Sequence, residues 1–580
     1  DGAATIAYNG EIYNYHELRR ELESHGYTFR STSDTEVVLN LYHWLGPEGI
    51  RRLNGMFALA IWDQHKGQLF VARDHFGIKP LYYIQHGQRF AFASEIKSLL
   101  LLPGVEREID DEALQQYLAF LWVPDPLTMF RGIFKLPAGH YAIFQRGRLE
   151  VSKYWDLEFP PADHQYPGDE AALACEIRER FDAAVASQLR SDVPLGAFLS
   201  AGLDSSSIVA SMARHSTTPV RTFTITFPEK YRKGEVTIDD PNVARRTAEH
   251  FGCIHRDIVV DPDVVSLLPK LIWHMDEPVA DPAIITAYLV CREARKDVTV
   301  LLSGVGGDEL FAGYRKHRAH FLAAGYQRVP RTLRRFLIEP AVQSLPAMRG
   351  SRFKGYIRLA KKMVRTGSLP PELRFIQDSV YITEQQRAEL CAPDTLQRFG
   401  GRNPHNRHLD YFQNVREADF LNRMLYLDTK AFMVSLNLTY NDKMSMANSV
   451  EVRVPFLDWP FAQWIASNVS PQLKLQGKRM KHIFREAMRG VLPDEVLRQR
   501  KAGFGAPADY WLAYDLREMV DDLLSPQQVA ERGLFRPSAV QQLIQQQRNG
   551  RNDWSMQIWQ LLTLELWQRT FLDSVPAVIG

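Results

Sequence analysis

Gly196-Ala197-Phe198-Leu199-Ser200-Ala201-Gly202-Leu203-Asp204-Ser205-Ser206-Ser207 is the stretch whose reading decides the fold. It reads as a buried strand, a short Ser/Gly loop, and a helix beginning near Ser205 and running through Ile208, Val209 and Met212. Hydroxyls and free backbone N–H groups at a positive helix end are what a phosphate or pyrophosphate needs. Asp204 adds a carboxylate, which beside phosphates makes sense chiefly as a Mg²⁺ ligand. The Gly-Lys-Ser/Thr ending of lysine-bearing phosphate loops is absent. The bland alternative is a strand-to-helix turn capped by Ser205, and the number of specified positions weighs against it.

A second loop repeats that logic. Val300-Leu301-Leu302 runs into Ser303-Gly304-Val305-Gly306-Gly307-Asp308-Glu309, followed by helical Leu310-Phe311. Strand-like Arg221–Phe227, a helix over Asn242–Phe251 and strand-like Val298–Leu302 continue a strand–helix alternation, which argues a parallel sheet with crossover helices. Ligands of such sheets sit beyond the carboxyl ends of the strands. The two loops then face one cleft, where Asp204 and Asp308 share a Mg²⁺ on a nucleotide's phosphates.

The chain has 580 residues, too many for one core. Its first part alternates short helices and strands. Asn14 is placed to cap a helix with Glu17 three residues on, and Asp34 to open a second helix. Strand-like runs at Met56–Trp62, Leu69–Ala72, Leu81–Ile84 and Phe90–Ala93 make a mixed, largely antiparallel α+β domain over residues 1–155. A polar, Pro-containing linker fills 156–168, and Leu173, Ile177, Phe181, Val185 and Leu189 mark an amphipathic helix that opens the α/β domain, 169–580. From roughly Arg315 to Leu438 the pattern is mainly helical, and its Arg/Lys-rich part from Arg328 to Arg365 reads as a solvated helical face. A net charge of +2 carries no nucleic-acid or membrane signal. The four cysteines lack metal spacing and point to a reducing compartment. The chain opens at Asp1 with a strand already under way, which reads as a piece of a longer protein.

The motifs carry a family resemblance. Ser200–Ser206 (SAGLDSS) resembles the pyrophosphate loop of the ATP-pyrophosphatases. Ser303–Tyr314 (SGVGGDELFAGY), Asn441–Asp458 (NDKMSMANSVEVRVPFLD) and Arg500–Pro507 (RKAGFGAP) resemble the synthetase domain of glutamine-hydrolysing asparagine synthetases. Tyr8–Asn14 (YNGEIYN), Ser33–Glu36 (SDTE) and Arg73–Tyr83 (RDHFGIKPLYY) resemble the class II glutamine amidotransferase domain. The resemblance implies an Ntn-hydrolase-like glutaminase domain with antiparallel sheet layers, a HUP-like synthetase domain with a parallel sheet, and a helical C-terminal part. It implies that Asn9 and the Gly10 N–H form an oxyanion hole and that Glu11 and Asp34 hold the α-amino end of glutamine. Phe198, Leu199, Ser200, Gly202, Asp204, Ser205, Ser206, Ile225, Ser303 and Gly304 would bind ATP, and Asp204 and Asp308 the Mg²⁺. Lys501 would neutralise charge on the phosphoryl transition state, with Lys481 and Arg453 weaker candidates for that work.

The implied reaction adenylates aspartate with Mg-ATP and displaces AMP with ammonia from glutamine, in a cytoplasmic homodimer. Three positions depart from the pattern. No cysteine nucleophile lies near Asp1, so the chain as given would use free ammonia. Ala201 replaces a glycine, at about 1 kcal/mol if that position needs φ > 0. Val305 stands where the family commonly carries an acid. Another acceptor carboxylate, or a catalytically silent nucleotide-binding scaffold, stays open on those three.

Overall fold

The computed structural model describes residues 4–166, 168–233, 241–327, 329–345, 354–499, 505–550 and 552–573. The first part holds β1 (Ala4–Ile12), β2 (Gly55–Asp63), β3 (Gln68–Arg73), β4 (Tyr82–His86), β5 (Arg89–Ala93), β6 (Ile133–Lys135), β7 (His140–Gln145) and β8 (Arg148–Lys153). They form two antiparallel sheets, ordered β1-β2-β3-β7-β8 and β5-β4-β6. The helices Tyr15–Ser24 and Asp34–Leu45 bury Leu18, Leu22, Val37 and Leu41 against the larger sheet. Asn14 caps nothing with its side chain. Its amide donates to Arg52 O at 2.9 Å and accepts from Asn54 N, tying the helix start to the strand entry. Asp34 opens the second helix as expected, with Ser33 capping it by accepting from Thr35 N.

The second part is built on β9 (Leu195–Phe198), β10 (Arg221–Thr226), β11 (Ile254–Val259), β12 (Val300–Leu302) and β13 (Glu451–Arg453). All pairs are parallel, in the order β11-β10-β9-β12-β13. From β9 the chain builds outward through β10 and β11, then crosses back to set β12 on the other side. The strand order therefore reverses between β9 and β12, and the loops leaving those neighbours diverge around a crevice. The helix after β9 spans Leu203–His215 and starts two residues earlier than expected, which puts Asp204 in its first turn. β13 is only three residues long, too short to show a period in sequence.

The two parts share one interior. Tyr13, Met56, Phe76 and Ile78 pack in the same core as Phe181, Phe456 and Phe484. The RDHFG segment is the bolt. Asp74 is fully buried and accepts from the backbone N–H groups of Phe57, Phe76, Ile78 and Lys79. Arg73 donates to Gly77 O and Lys79 O and pairs with Asp125 at 3.0 Å. The loop so fixed sends Lys79 into the second part, where its Nζ lies 2.9 Å from Asp442 Oδ1 with both groups buried. Asn54 donates to Asp458 at 2.7 Å, and Trp459 donates to Leu53 O and stacks on His75.

Removing one member of a buried ion pair strands the other, which costs about 3–5 kcal/mol. Lys79→Met should lower the chemical-unfolding midpoint accordingly, and Lys79→Met with Asp442→Leu should recover much of it. An additive double variant would show that the two groups do not interact.

Candidate functional site

The crevice between β9 and β12 opens into a cavity of about 380 Å³. Its apolar end is walled by Phe198, Leu199, Phe223, Ile225 and Val290, a slot suited to a flat base. Its polar end has Ser200, Gly202, Asp204 and Ser205 on one side and Ser303, Gly304 and Asp308 on the other. Ser205 Oγ accepts from Ser200 N at 3.1 Å and bonds Ser200 Oγ at 2.9 Å, which folds the loop over the helix N-terminus. Ser206 differs from the expectation: it is fully buried under the helix and lines none of the cavity. Ala201 costs nothing, because it is not among the residues with positive φ and fills the core.

Lys481 is the centre of the polar end. It is buried, holds φ 54°, and begins the helix His482–Ala487. Its Nζ lies 2.5 Å from Asp204 Oδ2 and 2.7 Å from Asp308 Oδ1, so one ammonium bridges the acids of both loops. Burial pushes its pKa down, and the Asp204 carboxylate pulls it back. The glycines of SGVGGDELFAGY make room for this: a Cβ on Gly313 would stand 1.8 Å from Asp308 Oδ1 and 2.1 Å from Lys481 Cε. Sequence alone ranked Lys481 low because a lone lysine is ordinarily solvated. Lys501, Arg500 and the following Ala502-Gly503-Phe504 lie outside the described residues.

The residues present fit a divalent ion. Asp204 Oδ1 is buried without a hydrogen-bond partner, and a Cβ on Gly307 would stand 2.8 Å from Asp204 Cγ, so the backbone there is shaped around the carboxylate. Among the described residues no group of three His, Cys, Asp or Glu gathers as a metal site.

The far wall holds Asp281, Glu309, Tyr440, Asn441 and half-buried Val305, with Asn437 from the π-helical stretch Asp428–Leu438. Glu309 accepts from Tyr314 Oη at 2.5 Å. Burial raises its pKa to about 7.

Asn9, Gly10, Glu11 and Asp34 lie elsewhere. Asn9, Gly10 and Glu11 sit in β1, paired with Ala58, Phe57 and Met56 of β2. A Cβ on Gly10 would meet Met56 O at 2.1 Å, so only glycine fits. Asp34 accepts from Tyr8 Oη and from Ile12 N. Arg453, weighed for phosphoryl charge, does not line the cavity. Its guanidinium lies 3.6 Å from Glu11, pairs with Glu451, and donates to Gln188 O and Arg190 O. Its own carbonyl accepts from Ser303 N at 2.8 Å. One residue thus touches a β1 acid on one side and the β12 phosphate loop on the other. Burial raises the Glu11 pKa to about 7, with Arg453 opposing it.

These features define a two-part enzyme of the nucleotide-using α/β class, with an antiparallel amidotransferase-type part bolted to it. Residues 176–569 match the asparagine synthase family and residues 1–155 the glutamine amidotransferase domain. The chain belongs to the asparagine synthase family. It is 36% identical over 575 residues, 98% of this chain and 86% of the relative, to asparagine synthetase [glutamine-hydrolyzing] 1 of Bacillus subtilis (strain 168). Asparagine synthetase [glutamine-hydrolyzing] 3 of the same organism is 31% identical over 510 residues, covering 86% of this chain and 75% of its own. Amidase chry2 of Gibberella zeae is 30% identical over 575 residues, covering 93% and 82%.

Glu309 predicts a pH dependence. Its folded-state pKa lies above the unfolded one, so its contribution to stability is complete below about pH 4 and is lost as pH rises through about 7. Glu309→Gln removes that loss. The variant should gain on wild type by on the order of 3 kcal/mol between acid and alkaline pH, read from unfolding midpoints. A constant difference across pH would contradict the burial of an ionisable Glu309.

Proposed function

We propose that this chain is an ATP-dependent asparagine-forming ligase, drawing nitrogen from glutamine or ammonia and releasing AMP and pyrophosphate. The observation that carries the reading is the crevice between β9 and β12, where Lys481 bridges the acids of two phosphate-type loops. Membership of the asparagine synthase family and the names of the relatives support it. The matched ranges support a division into an amidotransferase part near 1–155, a linker over 156–168 and a synthetase part from 169.

In this reading the adenine sits in the Phe198–Ile225 slot and the phosphates meet the first turn of the helix Leu203–His215. Asp204 and Asp308 would hold Mg²⁺, which when bound offsets phosphate charge. An acceptor carboxylate oxygen bonds the α-phosphorus as the bond to pyrophosphate breaks. Ammonia then bonds the acyl carbon, AMP leaves with the former carboxylate oxygen, and the nitrogen loses a proton. Lys481, dry and already between two carboxylates, is placed to follow the negative charge as it moves onto the leaving pyrophosphate. Lys501 would add a second cation from its loop. In the other part, Asn9 and Gly10 would stabilise an oxyanion and Glu11 and Asp34 would hold an amino group. A cytoplasmic homodimer with small-molecule substrates completes the proposal.

The test supplies Mg-ATP, ammonium and aspartate and measures pyrophosphate with mass detection of asparagine. Asparagine formation supports the reading; turnover with a different acid alone would overturn the acceptor and make Val305 the first residue to change. Asp204→Asn should abolish turnover. Lys481→Met should lower kcat by on the order of 10²–10³ with a smaller change in ATP affinity, and Lys501→Ala should do likewise to a lesser degree. Unchanged turnover in Asp204→Asn or Lys481→Met would sink the assigned roles.

A further inference from the structure

The net charge of +2 hides a strong asymmetry. Arg315–Thr366 contains fourteen Arg and Lys and one acid, Glu339, a formal +13 that the chain total balances with −11 elsewhere. Its described elements are the helix Arg315–Gln327, the helical run 331–344 and the helix Lys354–Thr366. Lys316 pairs with buried Asp428 and Arg334 is itself buried, while Arg315, Arg331, Arg335 and Arg365 are exposed. The expected solvated polar face is here also an apolar one. Phe336 is 76% exposed and Leu337 62%, with Leu333 beside them at helical spacing. Phe321 and Leu322 are exposed on the preceding helix. Single exposed apolar residues are ordinary, but Leu333, Phe336 and Leu337 exposed together in one short run are not.

The orientation is built in. Arg334 turns inward: it is buried, lies 5.4 Å over the Tyr326 ring, and donates to Ser368 Oγ. That anchors the run to the body and leaves Phe336 and Leu337 pointing out, flanked by exposed Arg331 and Arg335. We propose that this face docks peripherally on an anionic lipid surface, with Phe336 and Leu337 entering the acyl boundary and the arginines meeting the headgroups.

The chemistry selects among occupants. A basic surface tipped with Phe and Leu is the pattern of helices that lie in a membrane interface. Nucleic acid would satisfy the arginines and could stack a base on Phe336, but it gives Leu333 and Leu337 no cover, whereas an acyl boundary covers all three. A second copy would oppose two like-charged faces. No described helix is long and apolar enough to cross a membrane, so the contact stays at the surface. The helix Arg315–Gln327 starts beside Tyr314, which lines the cavity.

The full chain should float with vesicles of phosphatidylcholine plus phosphatidylglycerol and not with phosphatidylcholine alone, and salt should weaken the binding. Arg331→Glu with Arg335→Glu, and separately Phe336→Ser with Leu337→Ser, should each lower vesicle affinity about tenfold or more while circular dichroism and the unfolding midpoint stay unchanged. Absence of flotation, or undiminished binding by both folded variants, overturns the proposal. So does retention on polyuridylate without vesicle binding, which would assign the face to nucleic acid. Self-association that disappears in Phe336→Ser/Leu337→Ser, without vesicle binding, would assign it to a second copy.

Discussion

One ammonium group between two carboxylates organises the synthetase part. Lys481 reaches Asp204 on the loop after β9 and Asp308 on the loop after β12, and its buried ammonium needs these two half-buried carboxylates as partners. The demand explains features that look unrelated in sequence. Gly307 and Gly313 lack side chains because Asp204, Asp308 and Lys481 occupy that space. Lys481 holds a left-handed φ so that its backbone N–H reaches Phe311 O while its side chain enters the cleft. The helix Leu203–His215 starts at Leu203 rather than Ser205, which brings Asp204 into its first turn, where the helix dipole also favours a carboxylate.

The same economy joins the two parts. Charge pairs appear at their interface as buried Lys79 with Asp442, beside Asn441 of the cavity wall, and as buried Arg453 with half-buried Glu11, beside the Ser303 loop. A ligand that displaces Glu11 from Arg453 would act on a strand residue whose carbonyl holds that loop in place. Arg453 thus joins the two sides by contact, its guanidinium facing Glu11 and its carbonyl accepting from Ser303 N.

Much of this was legible in the residues. The strand–Ser/Gly loop–helix pattern fixed β9 and β12 as neighbours around a cleft, since a parallel sheet places such loops together. The antiparallel runs of the first part followed from strand-like stretches set apart by turn residues. What stayed hidden was set by tertiary packing. β13 has three residues and no periodicity of its own. Ser206 belongs to a loop motif, yet the earlier helix start rotates it into the core. Asn14 looks like a cap but is recruited by Arg52 and Asn54 across the chain. Lys481 and Arg453, equal as weaker candidates in sequence, part company in the fold because a cation's role depends on which carboxylates surround it, and no local pattern encodes that. The apolar tips at Phe336 and Leu337 were masked by the arginines around them.

In the proposed reaction this cleft activates a carboxylate by bonding it to the α-phosphorus of ATP. The most direct measurement uses aspartate labelled with oxygen-18 in its side-chain carboxylate, with Mg-ATP and ammonium, and reads the mass of the AMP formed. The account predicts one labelled oxygen in AMP and none in pyrophosphate. Label in the pyrophosphate or a phosphate product, or unlabelled AMP alongside asparagine, would contradict it.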